Sequence, residues 1–199
     1  MEEWFLNVID QFLETFIFHG PKKKNMPLAV THILLSVIIV DLYRDYITKH
    51  KRFFSLHTVF LAGFFGILPD IDIVFNMLGR IFDFTVPVVL GHGGITHTPF
   101  FAGLFLIPGY ILWKKKRHKQ AVYFFVGCFA ILFHIMLDYF IGGGQYEGIM
   151  WLFPFTVQSW KLHLITYMNM PNIPEALDAL ILLAWLWHEE VKHKITDFI

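Results

Sequence analysis

Four histidines and three aspartates, His32, Asp70, Asp72, His92, His97, His134 and Asp138, are the residues of this chain whose types and spacing suit metal chemistry. His134 and Asp138 stand four apart, which puts both on one face of a helix. Asp70 and Asp72 follow Pro69, and His92 and His97 bracket the pair Gly93-Gly94. Imidazole and carboxylate without thiolate suit zinc, manganese or iron. A catalytic zinc takes about three protein ligands, so this set points to two or three ions sharing carboxylates. Such a cluster activates water and clamps the oxygens of a displacement at phosphorus, with Asp70 or Asp72 as base or bridging ligand. Taken singly, each residue has a plainer explanation. His134 and Asp138 satisfy each other as a hydrogen-bonded pair, Asp70 and Asp72 cap a turn after Pro69, and the His92 to His97 stretch is glycine punctuation before a helix opening at Thr98-Pro99. His32 alone reads as an interior histidine.

The elements that must position these residues are apolar helices. Membrane-candidate segments run over 27–43, 55–68, 99–113, 121–141 and 174–187. Most are shorter than the roughly 20 apolar residues of a full span. Alternating directions through a bilayer bring His32, Asp70 and Asp72, His92 and His97, and His134 and Asp138 to one common face. Glu175 and Asp178 start the last segment on that face too, where acids suit a helix N-terminus. Glu147 and His163 lie on the same side without a pattern. His50, His57, His118, His188 and His193 fall towards the other face. Buried ionisable groups are costly in a bilayer, and gathering them at one end is the mark of a functional site.

Composition agrees with the membrane as solvent. Of 199 residues, 56% are hydrophobic and only 16% charged, with 16 basic against 16 acidic side chains. That charge is too sparse to cover a soluble core, and a net charge of zero argues against a nucleic-acid binder. The lone cysteine, Cys128, excludes an intrachain disulfide and a cysteine-rich metal site. Arg44, Lys49, Lys51, Arg52, Lys114 to Lys116, Arg117, Lys119, Lys192 and Lys194 follow the inward-running segments, which assigns that face to the cytoplasm and the His/Asp face to the outside. Lys22 to Lys24 run against this bias. Residues 4–17 repeat apolar pairs every four positions and read as an amphipathic helix. The expected fold is therefore all-α: a polytopic bundle of about five short transmembrane helices in a single domain over 27–199, preceded by an amphipathic interfacial helix in 1–20.

The residues just named also carry a resemblance. Thr31-His32, Leu68-Pro69-Asp70-Ile71-Asp72, the loop His92-Gly-Gly-Ile-Thr-His97-Thr98, His134-x-x-x-Asp138 and Gly148 with Pro154-Phe155 resemble, in order and spacing, the YdjM family of inner-membrane proteins regarded as metal-dependent hydrolases. The likeness covers about residues 27–155. That family in turn is similar to the all-helical zinc-dependent phospholipases C and single-strand nucleases, which hold three zinc ions and cleave phosphodiesters. The resemblance implies that His134, Asp138 and His97 are ligands and Asp70 or Asp72 a ligand or base. Its loop usually reads His-Arg-Gly-x-Thr-His, and Gly93 stands here where the arginine would be.

The function expected from these observations is a membrane-embedded metallohydrolase acting on a phosphoester, a lipid or another membrane-proximal phosphodiester, with membrane lipids as its partners. The aromatic connector Trp151, Phe153, Phe155 and Trp160 would hold acyl chains or form an interfacial belt. A metal-ion transporter and a non-enzymatic membrane interaction protein are the rival classes. A transporter should line a path through the bilayer, and the basic loops that would dock a partner already serve orientation.

Overall fold

A computed structural model describes residues 29–49, 53–141, 148–162, 164 and 173–193. The expected amphipathic segment in 1–20, Lys22 to Lys24, Glu147 and His163 lie outside the described residues. Among those described the chain is helical, and its one β feature is an isolated antiparallel bridge between Ile149 and Trp160.

Helix α1 (Ala29–Leu42) runs on into a π-helical turn, Tyr43–Thr48. Ser55 opens α2 (Leu56–Ile67), its backbone N–H donating to Thr58 Oγ1 at 3.3 Å. The sequence suggests that this helix stops near Leu68. Instead the chain tightens through a 3₁₀ turn, Leu68–Asp70, and continues as α3 (Ile71–Ile81). Pro69 lacks an N–H and is tolerated at a helix start, so it shifts the helix without ending it. Two further 3₁₀ turns, Val88–Leu90 and Ile95–His97, lead to α4 (Pro99–Leu104), which breaks at Phe105 before α5 (Leu106–Lys114). Helix α6 (His118–Ile141) and helix α7 (Ile173–His193) complete the described structure.

Among the described residues, two stretches are long and apolar enough to cross a bilayer, Leu56–Gly79 and His118–Ile141, each of 24 residues. At 1.5 Å per residue each reaches about 36 Å, more than the roughly 30 Å of a hydrocarbon core. Pro99–Lys114 is apolar but shorter.

The bundle is centred on α6. Helix α2 packs between α1 and α6, and α5 packs along α6. Lipid tails are as apolar as leucine, so close approach of small residues holds such helices together. Ala62, Ala102, Ala121 and Ala130 are fully buried at these contacts. One apolar cluster joins Val40, Val59, Ala62, Val122 and Val126. A second joins Ala102, Cys128, Ile131, Ile135 and Ile149. Gly66 sets the closest approach of α2 to α1: a Cβ there would fall 2.6 Å from Ser36 Oγ and 2.9 Å from the His32 carbonyl. That approach brings His32 alongside α6.

Candidate metal centre

Each element delivers its polar residues to one end of α6. The first turns of α1 present His32, and the 3₁₀ turn after α2 presents Asp70, with Asp72 opening α3. The 3₁₀ turn Ile95–His97 is tied to α4, because Thr98 Oγ1 donates to the Ile95 carbonyl at 2.7 Å and accepts from the Phe101 N–H at 3.1 Å. His134 and Asp138 occupy the last turns of α6. All seven residues meet. His32, Asp70, Asp72, His97, His134 and Asp138 are buried, and His92 lies at the partly open edge beside Asp70.

The two central imidazoles have their Nδ1 atoms occupied. His134 Nδ1 donates to the Gly66 carbonyl at 2.6 Å, an acceptor that requires the proton on Nδ1. His97 Nδ1 lies 2.9 Å from Asp72 Oδ2, which likewise places its first proton there. Asp72 also holds His92, through Oδ1 at 3.0 Å from His92 Nδ1, and accepts from Thr96 Oγ1 at 3.1 Å. Carbonyl and carboxylate partners of this kind fix the orientation of metal-binding histidines.

With Nδ1 engaged, the Nε2 atoms face a common point. His97 Nε2 and His134 Nε2 are 3.2 Å apart, and Asp138 Oδ2 lies 3.2 and 3.1 Å from them. Asp70 Oδ1 stands 3.6 Å from each Nε2. Zinc bonds of about 2.0–2.1 Å place the corners of a tetrahedron about 3.3–3.4 Å apart, close to the separations of His97 Nε2, His134 Nε2 and Asp138 Oδ2 from one another and of Asp70 Oδ1 from the two nitrogens. Asp138 Oδ2 is buried and accepts no hydrogen bond among the described residues, despite its two close nitrogens. Two imidazole nitrogens and two carboxylate oxygens converging on one point are what a cation would bridge in place of a proton, and the donor set fits a divalent metal. His32 adds to the cluster from the other side of Asp138: its Nε2 lies 3.3 Å from Asp138 Oδ1, and its ring stacks on His134 with centroids 3.9 Å apart. Two groupings emerge whose ligand atoms lie within 4.8 Å of one another, His32 with His134 and Asp138, and Asp70 with His92 and His97.

Burial works against a proton on His97, but the carboxylates of Asp138, Asp70 and Asp72 outweigh it and hold its pKa well above the usual imidazole value. At neutral pH these carboxylates favour the charged form of His97.

Sequence reasoning missed the Gly66 carbonyl and Thr96, neither of which carries a metal-binding signature. It also missed the role of Asp178, whose Oδ2 accepts from Thr31 Oγ1 at 2.9 Å. Gly93 adopts φ of 82°, in the left-handed region that costs other residues roughly 1–2 kcal/mol. A separate cluster forms where α1 ends: Arg44 lies 2.9 Å from Asp41 and 3.2 Å from Asp45, Lys192 lies 3.5 Å from Asp45, and Tyr46 bonds His188 at 2.9 Å. Glu189 joins Asp41 and Asp45 there.

Among known proteins, the profile of the YdjM inner membrane protein family matches residues 26–195. No curated protein and no solved structure matches the chain.

Proposed function

This chain belongs to the YdjM inner membrane protein family, and on that premise we propose that it is a membrane-embedded metal-dependent hydrolase. In this reading it is a phosphoesterase whose substrate is a membrane lipid or another phosphodiester held at the membrane, and it crosses the membrane about five times with the site on the extracytoplasmic side. The observation that carries the reading is the convergence of His97 Nε2, His134 Nε2 and Asp138 Oδ2 within 3.2 Å of one another at the end of apolar helices. Magnitudes support it. Aspartates within a membrane carry a cost that reaches roughly 2.5–3.5 kcal/mol at a helix centre on insertion scales, and a purely structural role does not need three of them in one place.

His32, Asp70, His92, His97, His134 and Asp138 would hold the metal, with zinc in two or three copies as the best fit and manganese or iron suited to the same donors. Bound divalent ions supply the polarisation of water and of a phosphoryl oxygen. The chain's own residues do the rest. Asp72 and the Gly66 carbonyl aim the two central imidazoles. Asp70, at 8% the most exposed of the three carboxylates, would serve as base towards the attacking water as well as ligand. Ile71, next to Asp70 in sequence, and Leu90, two residues before His92, are exposed apolar side chains, which would favour a lipid over a soluble ester.

The test is a hydrolysis panel of phospholipids, nucleotides and a generic phosphodiester, run on purified protein with zinc and with chelator. Metal-dependent cleavage abolished in Asp70→Asn supports the reading; no cleavage of any substrate in any metal contradicts it.

Metal transport is a second reading, favoured by the carboxylates of Asp41, Asp45 and Glu189 at the far end of α1. Against it, Asp41 lies about 180° around the helix from His32 at 100° per residue, so the two clusters sit on opposite faces of α1. Arg44 and Lys192 also offset most of the inner carboxylate charge. Zinc uptake into proteoliposomes would restore this reading over the enzyme.

A further inference from the structure

The described contacts leave one member of the centre, His32, without the fixing partner that the central histidines have. His97 Nδ1 is held by Asp72 and His134 Nδ1 by the Gly66 carbonyl, but His32 Nδ1 is buried with no hydrogen-bond partner among the described residues. Its aim is set by its stacking on His134 and by where the backbone of α1 begins. That backbone is anchored one residue earlier. Thr31 Oγ1 donates to Asp178 Oδ2 at 2.9 Å across 147 positions of sequence, and both residues are buried. A favourable acid at a helix N-terminus needs only exposure to the first turn, whereas Asp178 is 7% exposed and turned onto α1.

We propose that Asp178 is a positioning residue for the metal centre: through Thr31 it fixes the first turn of α1, and so the reach of His32 Nε2 towards Asp138. Helix α7 packs against α1, and at its other end it is held by the Tyr46–His188 bond and the Lys192–Asp45 pair. The C-terminal helix thereby clamps α1 at both ends, with the outer attachment setting ligand geometry. This inference rests on the metal-centre reading above.

The experiment uses the full chain in detergent, titrated with zinc and, as a spectroscopic probe, with cobalt(II) alone. Thr31→Val keeps the side chain's shape without its donor, Thr31→Ser keeps the donor, and Asp178→Leu removes the acceptor. The expected result is that Thr31→Val and Asp178→Leu each weaken binding about 10- to 100-fold, the range for partners that orient metal ligands, and shift the cobalt visible spectrum. Thr31→Ser stays like the parent, and the Thr31→Val/Asp178→Leu double variant is no worse than either single change. Helix content by circular dichroism separates misfolding from misplacement. If Asp178→Leu does not fold, the Thr31→Val and Thr31→Ser pair decides alone. Parent-like affinity and an unchanged spectrum in Thr31→Val overturn the proposal while leaving the metal centre standing. A parent protein that binds neither metal overturns the centre itself, and this inference with it.

Discussion

Asp72 Oδ2 lies 2.9 Å from His97 Nδ1, on the opposite side of the ring from the Nε2 that faces Asp138 at 3.2 Å. The ring thus spans two carboxylates, one that orients it and one that shares its target. Neighbouring aspartates two residues apart therefore divide the work: Asp70 reaches the common point, and Asp72 holds His92, Thr96 and His97 in place.

This division predicts unequal losses. Asp72→Ala should weaken zinc binding about 10- to 100-fold, as for other carboxylates that orient metal-ligating histidines. Asp138→Ala, which removes an atom shared by both central imidazoles, should remove bound metal altogether. Isothermal titration of the two variants under one buffer checks the order, and equal losses would put Asp72 among the ligands.

Gly66→Ala should act without removing any titratable group. Its Cβ would meet Ser36 Oγ at 2.6 Å and the His32 carbonyl at 2.9 Å, so α1 and α2 must separate. The same residue's carbonyl orients His134. Metal affinity should fall together with thermal stability, whereas Ile135→Ala in the apolar cluster should lower stability by about 2–5 kcal/mol and leave affinity in place. Melting curves with and without zinc separate the two.

Metal uptake should compete with protons. The carboxylates around His97 overcome its burial and hold its pKa well above the usual imidazole value, so at neutral pH the metal-free centre carries a proton that a ligand must give up. Affinity for zinc should rise with pH through and beyond neutrality, with proton release on binding. The sign for the metal-free protein is the reverse. A raised folded-state pKa stabilises fully below the unfolded value near 6.5, and that contribution is lost as pH rises through the higher folded value. Zinc titrations in buffers of different ionisation enthalpy count the protons released, and no release at pH 7 would contradict the assignment.

Gly93→Ala should cost roughly 1–2 kcal/mol in stability, because φ of 82° lies in the left-handed region that glycine adopts most easily. Gly93→Arg should carry the same cost, and thermal denaturation of the two variants measures it. Parent-like stability in both would show that the loop relaxes freely.

Much of the centre was legible because helical spacing and chain direction are local properties. His134 and Asp138 declare a shared face by being four apart, and alternation of apolar segments places His32, Asp70 and His97 at the same end. Helix ends were less so. Pro69 reads as a stop, yet the chain passes through a 3₁₀ turn and resumes as α3, since a proline in a first turn costs no hydrogen bond. The orienting groups left no mark in the sequence: a glycine carbonyl is present at every glycine, and only folding shows that Gly66 faces His134. Asp41, Arg44, Asp45 and Glu189 were hidden for another reason. The first three end a span beside a basic loop that orientation already explains, and their partner on α7 is far along the chain. Asp178 reads as an ordinary helix-start acid until Thr31 is placed beside it.

The central claim is that His97, His134, Asp138 and Asp70 surround a metal ion. Elemental analysis of the purified protein, beside His134→Ala and Asp138→Ala variants that keep their helix content, tests it most directly. At least one equivalent of zinc, manganese or iron per chain, lost in both variants, is the predicted result; less than one ion per chain in the parent, or full retention of the metal in His134→Ala, would contradict it.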